Sequence, residues 1–276
     1  MIRPRLIRPH LILDFILTRG RTHRYGPDRS QRADLHLPDD PDPHPVMVVI
    51  HGGSWQARYG KIAMRGLAGD LVRRGWAVWN IEYRRLGDGG GWPTTFEDVA
   101  MAIDHLAELD DVRLDLSRVS ILGHSAGGQL ALWAAAREKL PPGAPGAVNA
   151  RPRVRLQQAI SQAGVCDLVG GYHDWSGGPV KALMGGSPEE LPERYAIADP
   201  LAHVPLELPV LIVHGLLDAT VSVSHSRRYT RIALAAGGAV ELVEIDGRAG
   251  SHRAHIDPRG EAWAAVVRWL EELYAQ

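Results

Sequence analysis

Val119-Ser-Ile-Leu-Gly-His-Ser-Ala-Gly-Gly128 decides how this chain is read. Val119 to Leu122 has the apolar, β-branched character of a buried parallel strand. Gly123-His124-Ser125-Ala126-Gly127 follows at once, and Gly128-Gln129-Leu130 opens a helical stretch. Gly-x-Ser-x-Gly alone arises by chance. Between a strand and a helix it describes a sharp turn that lifts a serine above the C-terminal edge of a sheet. Such a turn leaves no room for side chains at Gly123 and Gly127, and it holds the serine in a strained backbone conformation. Ser125 is therefore the candidate nucleophile, close to the positive end of the helix that follows.

The rhythm around this turn is regular. Runs at 46–50, 76–81, 119–122, 158–161, 210–213 and 240–245 read as buried strands, with helical stretches at 63–74, 96–109, 127–137, 225–236 and 261–274. Within 96–109, Val99, Ile103 and Leu106 form one apolar stripe, while Glu97, Asp104 and Glu108 fall elsewhere. Alternation of this kind predicts an α/β fold in one domain over 1–276, with a mostly parallel central sheet flanked by helices. A weaker alternation at 33–37 suggests an antiparallel edge strand. The rhythm lapses only at 164–209, where short helical pieces at 180–184 and 192–196 sit among Gly, Pro and Trp. This reads either as a small cap or lid-like insertion over a site, or as an irregular helical connection. Residues 141–146, rich in Pro and Gly, form a surface loop.

A serine nucleophile needs partners, and the loops after three other strands offer them. After 46–50 comes His51-Gly52-Gly53-Ser54-Trp55, small residues that let backbone N–H groups face a substrate oxygen. Gly53, Ser54 and Ala126 are the expected oxyanion-hole amides, and Gly52 is expected to serve the turn. The general base must be a histidine whose other nitrogen meets a carboxylate. Asp218 lies in the loop after 210–213, and His252 follows the last strand, which gives the chain order Ser, Asp, His. His255 is the alternative base. His252, His255 and Asp257 could also be read as metal ligands, but their spacing is loose and Pro258 breaks any helix that would align them. No metal is expected. His51, His124, His214 and His225 read as hydrogen-bonded structure, and Cys166 as a small buried hydrophobe.

Composition narrows the class. The 276 residues carry 31 Lys+Arg against 32 Asp+Glu, which argues against nucleic acid or an anionic membrane as the main partner. One cysteine excludes an intramolecular disulfide framework, and no apolar run is long enough to span a bilayer. The near-zero balance hides an asymmetry. Residues 1–33 hold eight Arg against Asp14 and Asp28, so a basic N-terminal arm offsets an acidic body. The arm's apolar run at 10–17 is split by Asp14 and lacks a small-residue cleavage site, so the expected location is cytoplasmic. The arm is also a candidate surface for a homodimer. Eight Trp outnumber two Phe, and Trp55, Trp92 and Trp175 are expected to wall a substrate pocket.

Taken together, His51-Gly-Gly-Ser-Trp55, Gly123-His-Ser-Ala-Gly-Gly128, His214-Gly-x-x-Asp218-x-x-Val221 and Asn80-Ile-Glu-Tyr-Arg84 resemble the α/β-hydrolase superfamily. The chain is most similar to its small-esterase and kynurenine-formamidase-like branch. The resemblance spans about residues 25–270 and implies a Ser125–Asp218–His252 triad without a cofactor. Two features depart from the pattern. Ala249-Gly-Ser-His252 stands where Gly-x-Gly-His is common, and Ser54 takes the place of a third glycine. The expected activity is cleavage of small apolar or aromatic carboxylic esters through an acyl-enzyme. An arylformamidase, amidase or small serine peptidase with the same triad is the alternative, and a non-catalytic binding protein on this fold a further one. Prolyl-oligopeptidase-like peptidases share the Ser and Asp motifs but normally carry a propeller for which this chain has no room.

Overall fold

The fold is described from a computed structural model covering residues 20–148 and 152–274. Its sheet contains β1 (Arg21–Arg24), β2 (Arg32–His36), β3 (His44–Ile50), β4 (Ala77–Ile81), β5 (Leu114–His124), β6 (Leu156–Gln162), β7 (Val210–Gly215) and β8 (Val240–Ile245). The spatial order is β1-β2-β4-β3-β5-β6-β7-β8. From β4 to β8 every neighbouring pair is parallel, while β1–β2 and β2–β4 are antiparallel. All six runs read as buried strands lie in this sheet.

Side chains on a strand point alternately to its two faces, and the sequence fills both with apolar groups. On β3, Val46, Val48 and Ile50 enter one core while Met47 and Val49 enter the other. The first core is covered by α2 (Thr94–Asp104), α3 (Ala126–Ala135) and α7 (Val223–Ala235). The second is covered by α1 (Arg65–Arg73) and α8 (Glu261–Tyr274). The stripe of Val99, Ile103 and Leu106 is wholly buried, although the helix expected to reach 109 ends at Asp104 and continues as a 3₁₀ turn, His105–Glu108.

The sequence reading needs three corrections. The strand expected at 33–37 is antiparallel but not at the edge, because β1 pairs along it with Arg21 opposite Leu35. Arg-Thr-His-Arg has no apolar alternation to betray a strand; it is held by cross-strand pairing and by Thr22 Oγ1 donating to Asp34 Oδ1 at 2.7 Å. Residues 1–33, expected to form a basic arm, therefore contain β1 and the first residues of β2. Its apolar run at 10–17 lies outside the described residues. Between β6 and β7, beside α5 (Gly178–Met184) and α6 (Pro192–Ala198), there is also α4 (Leu168–Asp174). Two glycines mask α4 in the sequence, and Asp167 starts it by accepting the N–H of Gly170 at 2.7 Å. Among the described residues no helix is long and apolar enough to cross a membrane.

Candidate active site

Ser125 caps α3 at the end of β5, in the left-handed region with φ +56° and ψ −122°. A non-glycine residue there is strained, and its neighbours hold it in place. Its N–H donates to the Gln162 carbonyl at 2.9 Å, and its own carbonyl accepts from Gly128 at 2.9 Å. A side chain on Gly127 would place a Cβ 2.6 Å from the His51 carbonyl oxygen, inside any tolerable contact. The glycines thus let the elbow press against the end of β3.

The side-chain partners arrive from loops far along the chain. His252 Nε2 is 2.9 Å from Ser125 Oγ, and His252 Nδ1 is 2.7 Å from Asp218 Oδ2. Asp218 Oδ1 accepts the N–H groups of Thr220 at 2.8 Å and Val221 at 3.0 Å. Burial pushes the Asp218 carboxyl up, but the bond to His252 and these two amides prevail and hold it below the ordinary carboxylate range. With Asp218 ionised, His252 carries its proton on Nδ1 and leaves Nε2 free to accept from the serine hydroxyl. The structure brings Ser125, His252 and Asp218 into one chain of hydrogen bonds.

His51-Gly-Gly-Ser-Trp55 lies beside this chain. Gly53, Ser54 and Trp55 have φ of +116°, +51° and +56°, a run of three in the left-handed half of the map. Among the described residues the amides of Gly53, Ser54 and Ala126 take no hydrogen-bond partner from the protein. Gly52, expected to serve the turn, also allows close approach: its Cβ would lie 2.8 Å from Ser125 Cβ. His51 anchors the loop from below, with Nε2 2.6 Å from Glu82 Oε1 and its ring stacked on Tyr83 at 4.5 Å. Burial pushes the Glu82 carboxyl up, but His51 and Arg85 outweigh it and keep the group ionised. The Asn80-Ile-Glu-Tyr-Arg84 motif is thus the floor of this loop.

The remaining predicted residues divide. Trp55 is 1% exposed, so it is packed in the core rather than walling an open pocket. Trp92 and Trp175 are partly buried and meet Phe96 and His225, at 5.3 and 5.9 Å between ring centroids. The tryptophan excess goes mainly to the core: Trp79 donates to the Ala102 carbonyl and Trp263 to Asp70. Burial raises the Cys166 thiol to about 12, leaving it protonated and unreactive. His255 is buried between His124 and His214, with ring centroids 6.4 and 6.3 Å away, and does not meet Ser125. Burial, with His214 next, brings it down to about 4, so it stays neutral.

His124 and His214, expected to be hydrogen-bonded structure, are so, and they hold the segments that carry His252 and Asp218. His124 Nε2 donates to the His252 backbone carbonyl at 2.9 Å, tying the elbow directly to the base loop. Burial, then the neighbouring His252, lowers His124 to about 3, so the ring is neutral. His214 Nε2 donates to the Val221 carbonyl at 2.9 Å and Nδ1 meets Ser226 Oγ at 2.6 Å, which fixes the turn presenting Asp218. The segments carrying Asp218 and His252 touch where a Cβ on Gly250 would lie 2.8 Å from Gly215 Cα. Gly250, within the atypical Ala249-Gly-Ser-His252, therefore keeps a steric role. A histidine within the last two residues of a strand is the available signal for both, since His124 ends β5 and His214 is next to last in β7.

Residues 33–232 match the family described as BD-FAE. The chain belongs to the BD-FAE family, within the α/β-hydrolase superfamily. The BD-FAE match takes in residues 51–55, Ser125 and Asp218 but ends before His252, whose place rests on the geometry above. Two proteins of Mycobacterium tuberculosis are similar to this BD-FAE member. Esterase LipC is 27% identical over 243 residues, covering 81% of this chain and 57% of that protein. Esterase LipQ is 29% identical over 224 residues, covering 78% and 52%. The chain spans about half the length of these relatives. Among solved structures, a truncated carbohydrate esterase from gut microbiota superposes with a TM-score of 0.79 at 21% identity, covering 94% of this chain and 98% of that one. Propionate-bound Est2 of Thermogutta terrifontis gives 0.72 at 21% identity, covering 93% and 94%. At such identities the likeness is one of fold.

Proposed function

We propose that this BD-FAE family member is a serine carboxylesterase that cleaves esters of small apolar or aromatic groups. The observation that carries the reading is the 2.9 Å approach of Ser125 Oγ to His252 Nε2, with His252 Nδ1 2.7 Å from Asp218. The names of the relatives, esterases and a carboxylic ester hydrolase, point the same way.

In this mechanism His252 takes the Ser125 proton as Oγ attacks the ester carbonyl. The oxygen that becomes negative is held by the amides of Gly53, Ser54 and Ala126, each worth about 3–4 kcal/mol in the transition state. His252 then gives its proton to the departing alkoxide, releasing an alcohol and leaving Ser125 acylated. A water molecule, deprotonated by His252, attacks the acyl group and frees a carboxylic acid and the serine. Asp218 stays ionised throughout and supports the imidazolium. Trp92 and Trp175, each partly exposed, are the remaining candidates for an apolar pocket wall.

The test is hydrolysis of a short-chain p-nitrophenyl ester by the wild-type chain and by Ser125→Ala. The expected result is turnover in the wild type and a fall in kcat of at least about 10³-fold in the variant, with the fold unchanged by circular dichroism. Undiminished turnover in Ser125→Ala would overturn the reading. Turnover of N-formylkynurenine well above that of any ester would move the enzyme to the formamidase alternative.

A further inference from the structure

α3 is apolar on every side, Ala-Gly-Gly-Gln-Leu-Ala-Leu-Trp-Ala-Ala, except at Gln129. That side chain is fully buried. A lone amide in such a helix must find partners, because an unpaired buried amide costs about 1–3 kcal/mol. Gln129 finds two, on different parts of the molecule. Its Oε1 accepts from Trp55 Nε1 at 3.2 Å, and its Nε2 donates to the Ala198 carbonyl at 2.9 Å. The orientation of the amide follows from chemistry. An indole N–H only donates and a carbonyl only accepts, so the reversed amide would lose both bonds.

The three elements joined in this way matter for the proposed reaction. Trp55 directly follows Gly53 and Ser54, and its backbone, like theirs, sits in the left-handed region with φ +56°. Gln129 lies one turn after Ser125 and donates its backbone N–H to the Ser125 carbonyl at 3.2 Å. Ala198 is the last residue of α6, between β6 and β7. Next to it, the Asp199 carboxylate accepts the N–H groups of Val169 and Leu201, joining the start of α4 to the turn after α6. One buried amide therefore ties the oxyanion loop and the nucleophile's helix to the 164–209 segment.

We infer that Gln129 is a positioning residue that braces the oxyanion loop through Trp55 and couples that loop to the segment between β6 and β7. Three successive left-handed residues do not hold themselves, and a fixed indole at the third limits how the first two can turn. Donors that must meet an oxygen only in the transition state lose effect when they shift by a fraction of an ångström. Loss of the brace therefore lowers kcat and leaves substrate affinity nearly untouched. The Trp55–Gln129 half acts on the oxyanion amides; the Gln129–Ala198 half lets the position of the segment set the brace.

The inference rests on the serine-esterase reading, so the test keeps the two apart. Wild type, Ser125→Ala, Trp55→Phe and Gln129→Leu are compared on a p-nitrophenyl ester and by their rates of Ser125 labelling with a fluorophosphonate. Trp55→Phe removes the indole N–H together with part of the buried ring system, and leaves the Gln129 amide able to bond Ala198. It is expected to lower kcat and the labelling rate about 5- to 10-fold, with KM within about twofold. Gln129→Leu is expected to lower kcat by about 10- to 100-fold. In both, the pH dependence of kcat/KM stays that of the wild type, because the base is untouched. Should Gln129→Leu not fold, Trp55→Phe decides the matter alone. Wild-type kcat in Trp55→Phe, or a loss of thermal stability with no change in kcat or labelling, would overturn the brace and leave the esterase reading standing. An unreactive Ser125 in the wild type would overturn both.

Discussion

The proposed nucleophile half of the site and its proposed acid–base half are built by different means. Ser125 and the oxyanion loop sit on two short contiguous stretches, 51–55 and 123–127, whose shape is set by backbone sterics at Gly52, Gly53, Gly123 and Gly127. Asp218 and His252 sit on loops after β7 and β8, held by a bond from His214 seven residues before Val221 and by a long-range bond from His124. In the first half a missing side chain gives the geometry; in the second a side chain present elsewhere gives it. Damage should therefore differ in kind. The acid–base half should lose chemistry before fold, and the elbow should lose fold together with chemistry.

The largest separation is expected for Asp218→Asn. The amide would favour the wrong His252 tautomer, and kcat should fall by about 10³- to 10⁴-fold with KM changed little. Thermal unfolding should move by only a few degrees, and stability lost in proportion to activity would place Asp218 in the scaffold instead. Gly127→Ala is the converse. A methyl facing the Ile50 and His51 carbonyls should cost about 3 kcal/mol or more in urea unfolding, with activity lost in step. Full stability there would show that the elbow is not held by sterics.

The buried histidines add a pH limit to the acid–base half. His255 titrates at about 4 in the fold against about 6.5 in an unfolded chain. Its folded value is the lower one, so the unfolded state binds the proton first. Its contribution to stability is complete above pH 6.5 and is lost as pH falls toward 4, by up to about 3 kcal/mol. His255→Leu should flatten that part of the stability profile, read from urea midpoints between pH 7 and pH 4. His214→Leu should have the smallest effect. It takes the His214 bond from the Val221 carbonyl and leaves the Ser226 hydroxyl with only Cys166 Sγ, at a cost of about 2 kcal/mol, and it lowers kcat about tenfold by loosening the Val221 amide on Asp218.

The same contrast explains what the sequence made legible. β3, β4, β5, β6 and β7 were readable because each carries apolar side chains to both faces, and Ser125 because its glycines are adjacent in the chain. β1 was not readable, since Arg-Thr-His-Arg is a strand by pairing alone; nor was α4, whose glycines argue against a helix. The tryptophan surplus suggested pocket walls, yet Trp55, Trp79 and Trp263 are buried and satisfied by partners 74, 23 and 193 residues away. Such pairings leave no local pattern. Gln129 leaves no local signal for the same reason: what it does depends on Trp55 and Ala198, which only folding brings near.

The claim beneath all of this is that Ser125 is activated by His252 within the folded chain. Reaction of the native protein with a fluorophosphonate, followed by peptide mass spectrometry, tests it most directly. One adduct per chain is predicted, on Ser125, forming at least about 10³-fold faster than in His252→Ala and failing to form in urea-unfolded protein. An unmodified Ser125 in the native chain, or equal labelling rates with and without His252, would contradict the account.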